Sequence, residues 1–515
     1  MNRRFCPLLG PAVCAGLVSL VLLLPVGARC ELDQGVASAS LADLLPDASF
    51  DASIPSPAAF TGVEPGARPL RPAEIVAYFR ALADASPHAQ LFEYARSHEQ
   101  RPLVYLAISD PATIAELAGF KERHAEQLDP RHGQPSASEL VGAKAVAWMA
   151  YGIHGDELSS CDAAVVLAYW LVAGQDERAS ALREKLLVLI DPSENPDGRA
   201  RYLAQLTAFA HRTADSDQED LSQTAVWPWG RGNHYLFDLN RDWFTLIQPE
   251  SARSRTIAGW LPQLMVDAHE MGSNGTFLFP PPRHPFNPHL PASVREWERV
   301  FSADQAQAID ARGYPYYSGE WNEEFFPGYG SSWASYQGTV GILYEMSRTS
   351  GTRVRKHSGV VRTFAQAVEH QLVSSVANLT TLADNAAAIL ADQIGARGAA
   401  VAAGRKGDVR VWIFPLDSRH PARLDWLADR LEGQGIEVNE LHGGPVTAGG
   451  LRDARTGTAQ EVELAEGTLL VRLDQPAGQL VRAILDPHVP MDAGFFQDER
   501  EHLEKGKGTR IYETT

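Results

Sequence analysis

Cysteine is scarce: four in 515 residues, with no Cys-x-x-Cys or zinc-finger spacing among them. That excludes a disulfide-built scaffold and a thiolate metal site. Positive charge is in deficit as well, 46 Lys and Arg against 64 Asp and Glu, giving a formal charge of −18. Binding to a phosphate backbone depends on clustered basic side chains, so no nucleic-acid partner is expected. Adhesion to an anionic membrane surface is disfavoured for the same reason. What remains is the composition of an ordinary globule, 44% hydrophobic and 21% charged. The length suits one large catalytic-sized domain and something smaller.

Residues 1–28 have the three-part pattern of a secretory signal. Arg3 and Arg4 form a basic start, an uncharged stretch follows, Pro25 breaks it, and Val26-Gly27-Ala28 supplies compact residues for cleavage. The competing reading is an uncleaved membrane anchor, since the stretch is long enough to span. Arg29 disfavours a lipoprotein at Cys30. The expectation is a secreted or periplasmic protein without stable membrane association after cleavage. Losing the two arginines takes the charge from −18 to −20. Cys30 and Cys161 then remain, and Cys161, in a helix apolar nearly all round, reads as a buried core thiol.

Residues 29–68, rich in Ala, Ser, Pro and Asp, read as a mobile leader or linker. From residue 69 the pattern is regular. Helices are predicted over 73–83, 113–127 and 157–172, and strands over 91–96, 103–109, 143–153, 186–190, 264–268 and 340–344. Apolar strands buried on both faces and alternating with helices describe an α/β fold: a mixed, mostly parallel twisted sheet covered by helices on both faces. A long helix over 358–394 closes this unit at 69–395. Residues 396–407 look like a linker, and 408–515 begin a small C-terminal α/β module that ends soon after a strand at 509–512. Asn378-Leu379-Thr380 matches a glycosylation sequon.

The chemistry is concentrated in a few segments. In Tyr151-Gly152-Ile153-His154-Gly155-Asp156-Glu157 a buried strand delivers His154 into a turn, and Glu157 opens the next helix. Across such a turn the two side chains can converge on one cation, whereas on a strand they would point to opposite faces. His269, in Asp267-Ala268-His269-Glu270, ends another apolar strand, where ligands bind in open α/β sheets. Two His and one carboxylate suit Zn²⁺ with a fourth position left for water. Glu345, emerging from the apolar run Gly341-Ile342-Leu343-Tyr344, is costly to bury without work or a partner. It is either a proton carrier or the ion-pair partner of Arg348. Asn240-Arg241 offers the planar fork and extra donor that grip a carboxylate. Glu194-Asn195-Pro196-Asp197-Gly198 is a turn by composition.

In this order the motifs resemble those of the M14 family of zinc carboxypeptidases: His-x-x-Glu at 154–157, Asn-Pro-Asp-Gly at 195–198, Asn-Arg at 240–241, a third ligand at His269 and a catalytic Glu at Glu345. The resemblance covers roughly residues 69–395. It implies that His154, Glu157 and His269 hold one Zn²⁺ per chain, and that Glu345 is the general base and then acid for a zinc-activated water. It also implies that Asn240 and Arg241 bind the free C-terminal carboxylate of a peptide. The family's oxyanion arginine falls to Arg231 or Arg212, with Arg231 preferred. Its mobile tyrosine falls to Tyr329, with Tyr316 and Tyr317 competing. Ser331 and Ser332 lie near the family's specificity position, so no buried acid is evident for a basic side chain. Two alternatives are a zinc deacylase of the aspartoacylase-like branch and a non-catalytic binding protein of the same fold.

Overall fold

The seven strands of the main sheet alternate side chains between two apolar layers, and that alternation explains their composition. The computed structural model describes residues 38–212, 215–224 and 226–507; the expected signal, Cys30 and the strand at 509–512 lie outside them. The strands are β1 (Ala89–Arg96), β2 (Pro102–Ile108), β3 (Ala145–Tyr151), β4 (Leu186–Asp191), β5 (Leu264–Met271), β6 (Phe277–Leu278) and β7 (Val340–Ser347). Their order is β1-β2-β4-β3-β5-β7-β6. The four central strands are parallel, while β1, β2 and β6 join antiparallel at the edges. The sheet is therefore mixed, with its parallel part confined to the centre.

On β3, Ala145, Ala147, Met149 and Tyr151 face one apolar cluster, shared with the helices Ser159–Ala173 and Phe364–Lys406. Val146, Trp148 and Ala150 face the other, shared with Ile257, Trp260 and Trp333. Both faces are covered, as the unbroken apolar strands require. Cys161 is buried and free in the first layer.

Several boundaries differ from the sequence reading. Part of the expected leader is folded: from Ser38 onward, short helices at Leu41–Leu44 and Pro57–Thr61 are capped by Ser40 and Ser56, and Leu44, Leu45 and Ile54 join the core. A few apolar residues in a polar background were enough to anchor it. Glu157 does not open a helix, which begins two residues later at Ser159. The helix expected over 113–127 is interrupted at Glu116, between Pro111–Ala115 and Leu117–Gln127. The long helix starts at Phe364, after a hairpin of Arg353–Arg355 and Val361–Thr363 and a Thr363/Gln366 capping box. It then runs through the expected linker to Lys406. Alanine is the strongest helix former, and the buried Arg397 and Val401 give that end something to pack on. Asn378 is buried in this helix, with its amide directed to Gln305, so the sequon offers no accessible acceptor.

Beyond the helix, Val411–Phe414 and Asn439–Glu440 flank Leu469–Arg472 in a small antiparallel sheet. Leu431, Ile436, Val471 and Leu480 share the second apolar layer with Trp148 and Trp333, and Trp333 Nε1 donates to Gln434 at 3.1 Å. Leu480→Ala is expected to cost about 2–5 kcal/mol. Because this layer underlies the sheet, calorimetry should show one lowered transition; a separate early transition would mean that the segment melts alone.

Candidate metal centre

Two segments that are distant in sequence meet at the carboxyl ends of the parallel strands. The turn after β3 carries His154 and Glu157, and β5 carries His269. Backbone contact sets this arrangement. A Cβ on Gly155 would lie 2.1 Å from Arg199 N, and one on Gly198 would lie 2.4 Å from Gly230 O. The turn at 152–158, the Asn-Pro-Asp-Gly turn and the loop at 229–233 therefore stack with no room for side chains between them.

All three residues are buried, and their ligand atoms lie within 4.8 Å of one another. His154 Nδ1 is 2.7 Å from Glu157 Oε1, and His269 Nδ1 is 3.0 Å from Glu157 Oε2. The two Nδ1 atoms are 3.2 Å apart. The opposite ring nitrogens face carboxylates: His154 Nε2 lies 3.0 Å from Asp238 Oδ1, and His269 Nε2 lies 2.9 Å from Asp267 Oδ1. Each Nε2–H is thereby placed to donate outward, which fixes the tautomer and turns both Nδ1 lone pairs inward. Two lone pairs at that separation repel unless a proton or a cation lies between them. Two imidazoles and one carboxylate, with Asp238 and Asp267 behind the rings, form a donor set that fits Zn²⁺. The electrostatics agree. Burial opposes protonation of both rings, yet Glu157 and Asp238 raise His154, and Asp267 and Glu157 raise His269. Burial would raise Glu157, but the two histidines hold it well below the usual carboxylate range.

The surrounding residues occupy distinct places. Glu345 stands beside His269 in the β5–β7 register, and it is the one residue of β7 that is not fully buried. Burial pushes its carboxyl up to about 7. Arg348 pairs with Asp156 at 3.3 Å and not with Glu345. Arg231 donates to Asp238 through Nε and Nη2, while its Nη1 lies 3.3 Å from His154 Nδ1. Arg212, its competitor, is exposed with no recorded contact to the cluster. The loop carrying Arg231 is fixed from below. Asn195 Nδ2 donates to Arg231 O, and Arg201 donates to the carbonyls of Trp229, Gly232 and Asn233. Trp229 and Leu236 there adopt positive φ, 49° and 63°. For bulky residues this costs about 1–2 kcal/mol each, so the clamp maintains a conformation the loop would otherwise leave.

The Asn-Arg pair divides. Arg241 is partly exposed and sits over the Tyr329 ring at 4.7 Å. Asn240, expected as a second grip, is buried and hydrogen-bonded within the site. Its amide NH₂ reaches Asp267 Oδ2 at 3.3 Å, beside His269 Nε2, and its oxygen accepts from Trp243 Nε1 and Gly330 N. It braces the ring of His269 and the start of the Tyr329 helix. Tyr329 is thus the tyrosine that touches Arg241. Tyr316 packs on Phe279, and Tyr317 hydrogen-bonds Met271 and Trp321. Ser331 and Ser332 are buried within Gly330–Ser335. A buried acid does lie there: Glu324, whose carboxyl interacts electrostatically with the Ser331 hydroxyl and the Glu298 carboxyl. Burial pushes Glu324 up to about 7 and Glu298 well above its ordinary value, so the pair is not two free negative charges.

Sequence reasoning missed the outward carboxylates Asp238 and Asp267 and the buried Glu270. Glu270 caps the helix Ser159–Ala173 by accepting from Leu158 N at 3.0 Å and Ser159 N at 2.9 Å. All three stand within two residues of a motif residue, Asp238 before Asn240 and Asp267 and Glu270 around His269, and that proximity was the available signal. Among the described residues, no helix is long and apolar enough to cross a membrane.

Residues 75–260 match the zinc carboxypeptidase family model, Peptidase M14. No curated protein matches the chain in sequence. Among solved structures, the chain is similar to a metallo-carboxypeptidase from Burkholderia cenocepacia, with 17% identity over 61% of this chain and 70% of that one, at a TM-score of 0.42. Carboxypeptidase A from Helicoverpa armigera shares 18% identity over 65% and 78%, TM-score 0.42. A metallo-carboxypeptidase from Pseudomonas aeruginosa shares 15% over 62% and 68%, TM-score 0.38.

Proposed function

We propose, on the premise that this chain is an M14-family zinc carboxypeptidase, that it is an exported exopeptidase releasing C-terminal amino acids from peptides. Residues 75–260 include His154, Glu157, Arg231, Asn240 and Arg241; His269 and Glu345 lie beyond them. The observation that carries the reading is the inward-facing His154/His269 pair over Glu157, backed by Asp238 and Asp267. His154, Glu157 and His269 would hold the zinc. When bound, the metal supplies Lewis acidity toward water and the scissile carbonyl.

The chain's own groups supply the rest. Arg241 forms a fork with the terminal carboxylate of the peptide, which places the last peptide bond, and no internal one, over the cluster. Tyr329, stacked under Arg241, closes that side. Arg231 directs its guanidinium to the carbonyl oxygen as charge develops on it. Glu345 takes a proton from the attacking water and returns it to the departing amine. Export rests on the signal pattern at 1–28.

The test is mass spectrometry of a mixed peptide library incubated with and without a chelator. Ladders shortened from the C-terminus and abolished by the chelator are expected. Hydrolysis of N-acyl amino acids in preference to peptides would instead point to a deacylase. Arg241→Ala should lower kcat/KM by about 10- to 100-fold, mainly through KM, because a charge-assisted bond to a partly desolvated carboxylate is lost. Unchanged KM would remove Arg241 from the carboxylate site.

A further inference from the structure

The loop that carries Arg231 exposes large apolar side chains that the proposed chemistry does not use. Trp227 is 70% exposed, Trp229 51% and Tyr235 70%, and Leu236 is exposed beside them. Large rings are usually buried, and a concentration of exposed ones marks a binding surface more often than chance. Backbone reach places Trp229 within about 7 Å of Arg231 and Trp227 within about 14 Å, Cα to Cα. Arg231 itself lies 3.3 Å from the metal ligand His154. The exposed rings therefore belong to the same short loop that delivers Arg231 to the candidate metal centre.

Their exposure is held in place and is not a consequence of slack. Arg201 and Asn195 together bind the carbonyls of residues 229, 231, 232 and 233 from one side. Trp229 N closes a turn onto Val226 O at 2.8 Å. Buried Asn233 accepts from Tyr235 N and Phe237 N and donates to Gln248. With the backbone fixed in this way, the side chains at 227, 229 and 235 cannot collapse onto the core. Rigid aromatic rings lose little conformational entropy on contact, so they suit a recognition surface.

We propose that Trp227 and Trp229 form a platform for the substrate's side chains on the amino side of the scissile bond, selecting peptides with an aromatic or large aliphatic residue there. The proposal rests on the carboxypeptidase reading. The occupant follows from continuity: a peptide whose carboxylate is held at Arg241 and whose last carbonyl lies by Arg231 must carry its preceding residues past this loop. No charged side chain intervenes between Trp227 and Trp229, only Pro228, which favours apolar over charged partners.

The experiment uses N-blocked peptides with one fixed C-terminal residue and either Phe or Ala at each of the three preceding positions. Wild type should favour at least one Phe peptide about tenfold in kcat/KM. The Trp227→Ala/Trp229→Ala double variant should bring that ratio close to one, whereas Trp426→Ala, an exposed tryptophan elsewhere, should leave it unchanged. Equal cleavage of all peptides by wild type overturns the platform, as does equal loss for Phe and Ala peptides in the double variant. Cleavage of none of them overturns the carboxypeptidase reading instead. Peptide quenching of tryptophan fluorescence tests the platform without turnover. Affinity for the Phe peptide should weaken about tenfold in the double variant, and an unchanged affinity overturns the platform. Quenching by a soluble oligosaccharide and by none of the peptides would overturn it in favour of a sugar surface.

Discussion

Glu345→Gln is expected to lower kcat by about 10²- to 10⁴-fold, the range for removal of a positioned proton carrier, with zinc content and thermal midpoint unchanged. The substitution keeps the shape of the side chain and removes the ability to hold a proton as a carboxylate. Its structural consequences should be small, because Glu345 makes no recorded hydrogen bond or ion pair to a described residue; the nearby arginine, Arg348, is committed to Asp156. The position explains the functional cost. Glu345 is beside His269 across the β5–β7 pairing, and it alone on its strand is open to the site. Burial and the Glu157 charge push its carboxyl up to about 7, despite His269 pulling the other way. A group titrating there can both accept a proton from water and surrender it to an amine near neutral pH. Full activity in the glutamine variant, with stoichiometric zinc confirmed, would remove Glu345 from the reaction. A lowered midpoint would instead mark it as structural.

How much of this was legible without coordinates differs from residue to residue. His154 and Glu157 were readable together because only two residues of turn separate them, and a turn is a local event. His269 and Glu345 were readable separately, as polar residues ending apolar strands; only the parallel pairing of β5 and β7 makes them neighbours. Asp238 and Asp267 were not legible as partners of the histidines. A carboxylate next to a motif residue in sequence faces the opposite way as often as not, and here the direction depends on a 3₁₀ turn at Leu239–Arg241 and on strand pleat. The inward contacts of Asn240 were illegible for the same reason: its type suits a carboxylate grip, and only the turn brings it to Asp267 and Trp243 as well. The fold's centre followed from unbroken apolar strands. Its margins did not, because whether residues 38–68 or 396–407 pack depends on a few buried side chains that composition averages away.

Removing the metal should abolish turnover and lower the thermal midpoint, and restoring zinc should recover both. A ligand that binds only the native state stabilises it by about 4 kcal/mol at a thousandfold excess over its dissociation constant. Without it, the cluster is left with two imidazoles whose Nδ1 atoms face each other at 3.2 Å. They can relax only by taking up protons, which Glu157, Asp238 and Asp267 then balance; the apo protein should fold, less stably. The outward carboxylates make the prediction graded. Asp267 is buried, accepts from His269 Nε2 and takes the amide of Asn240. Asp267→Asn replaces an anionic acceptor by a neutral amide and loosens the ring's tautomer. It should weaken zinc binding by about 10- to 100-fold, while kcat at saturating zinc falls far less than in Glu345→Gln. Titration of the chelated protein with zinc, followed by both activity and thermal midpoint, separates the two effects. An unshifted midpoint on chelation, with metal analysis showing zinc gone, would mean that the cluster does not hold the ion in the native state. An unchanged zinc affinity in Asp267→Asn would mean that His269 is oriented by the strand alone.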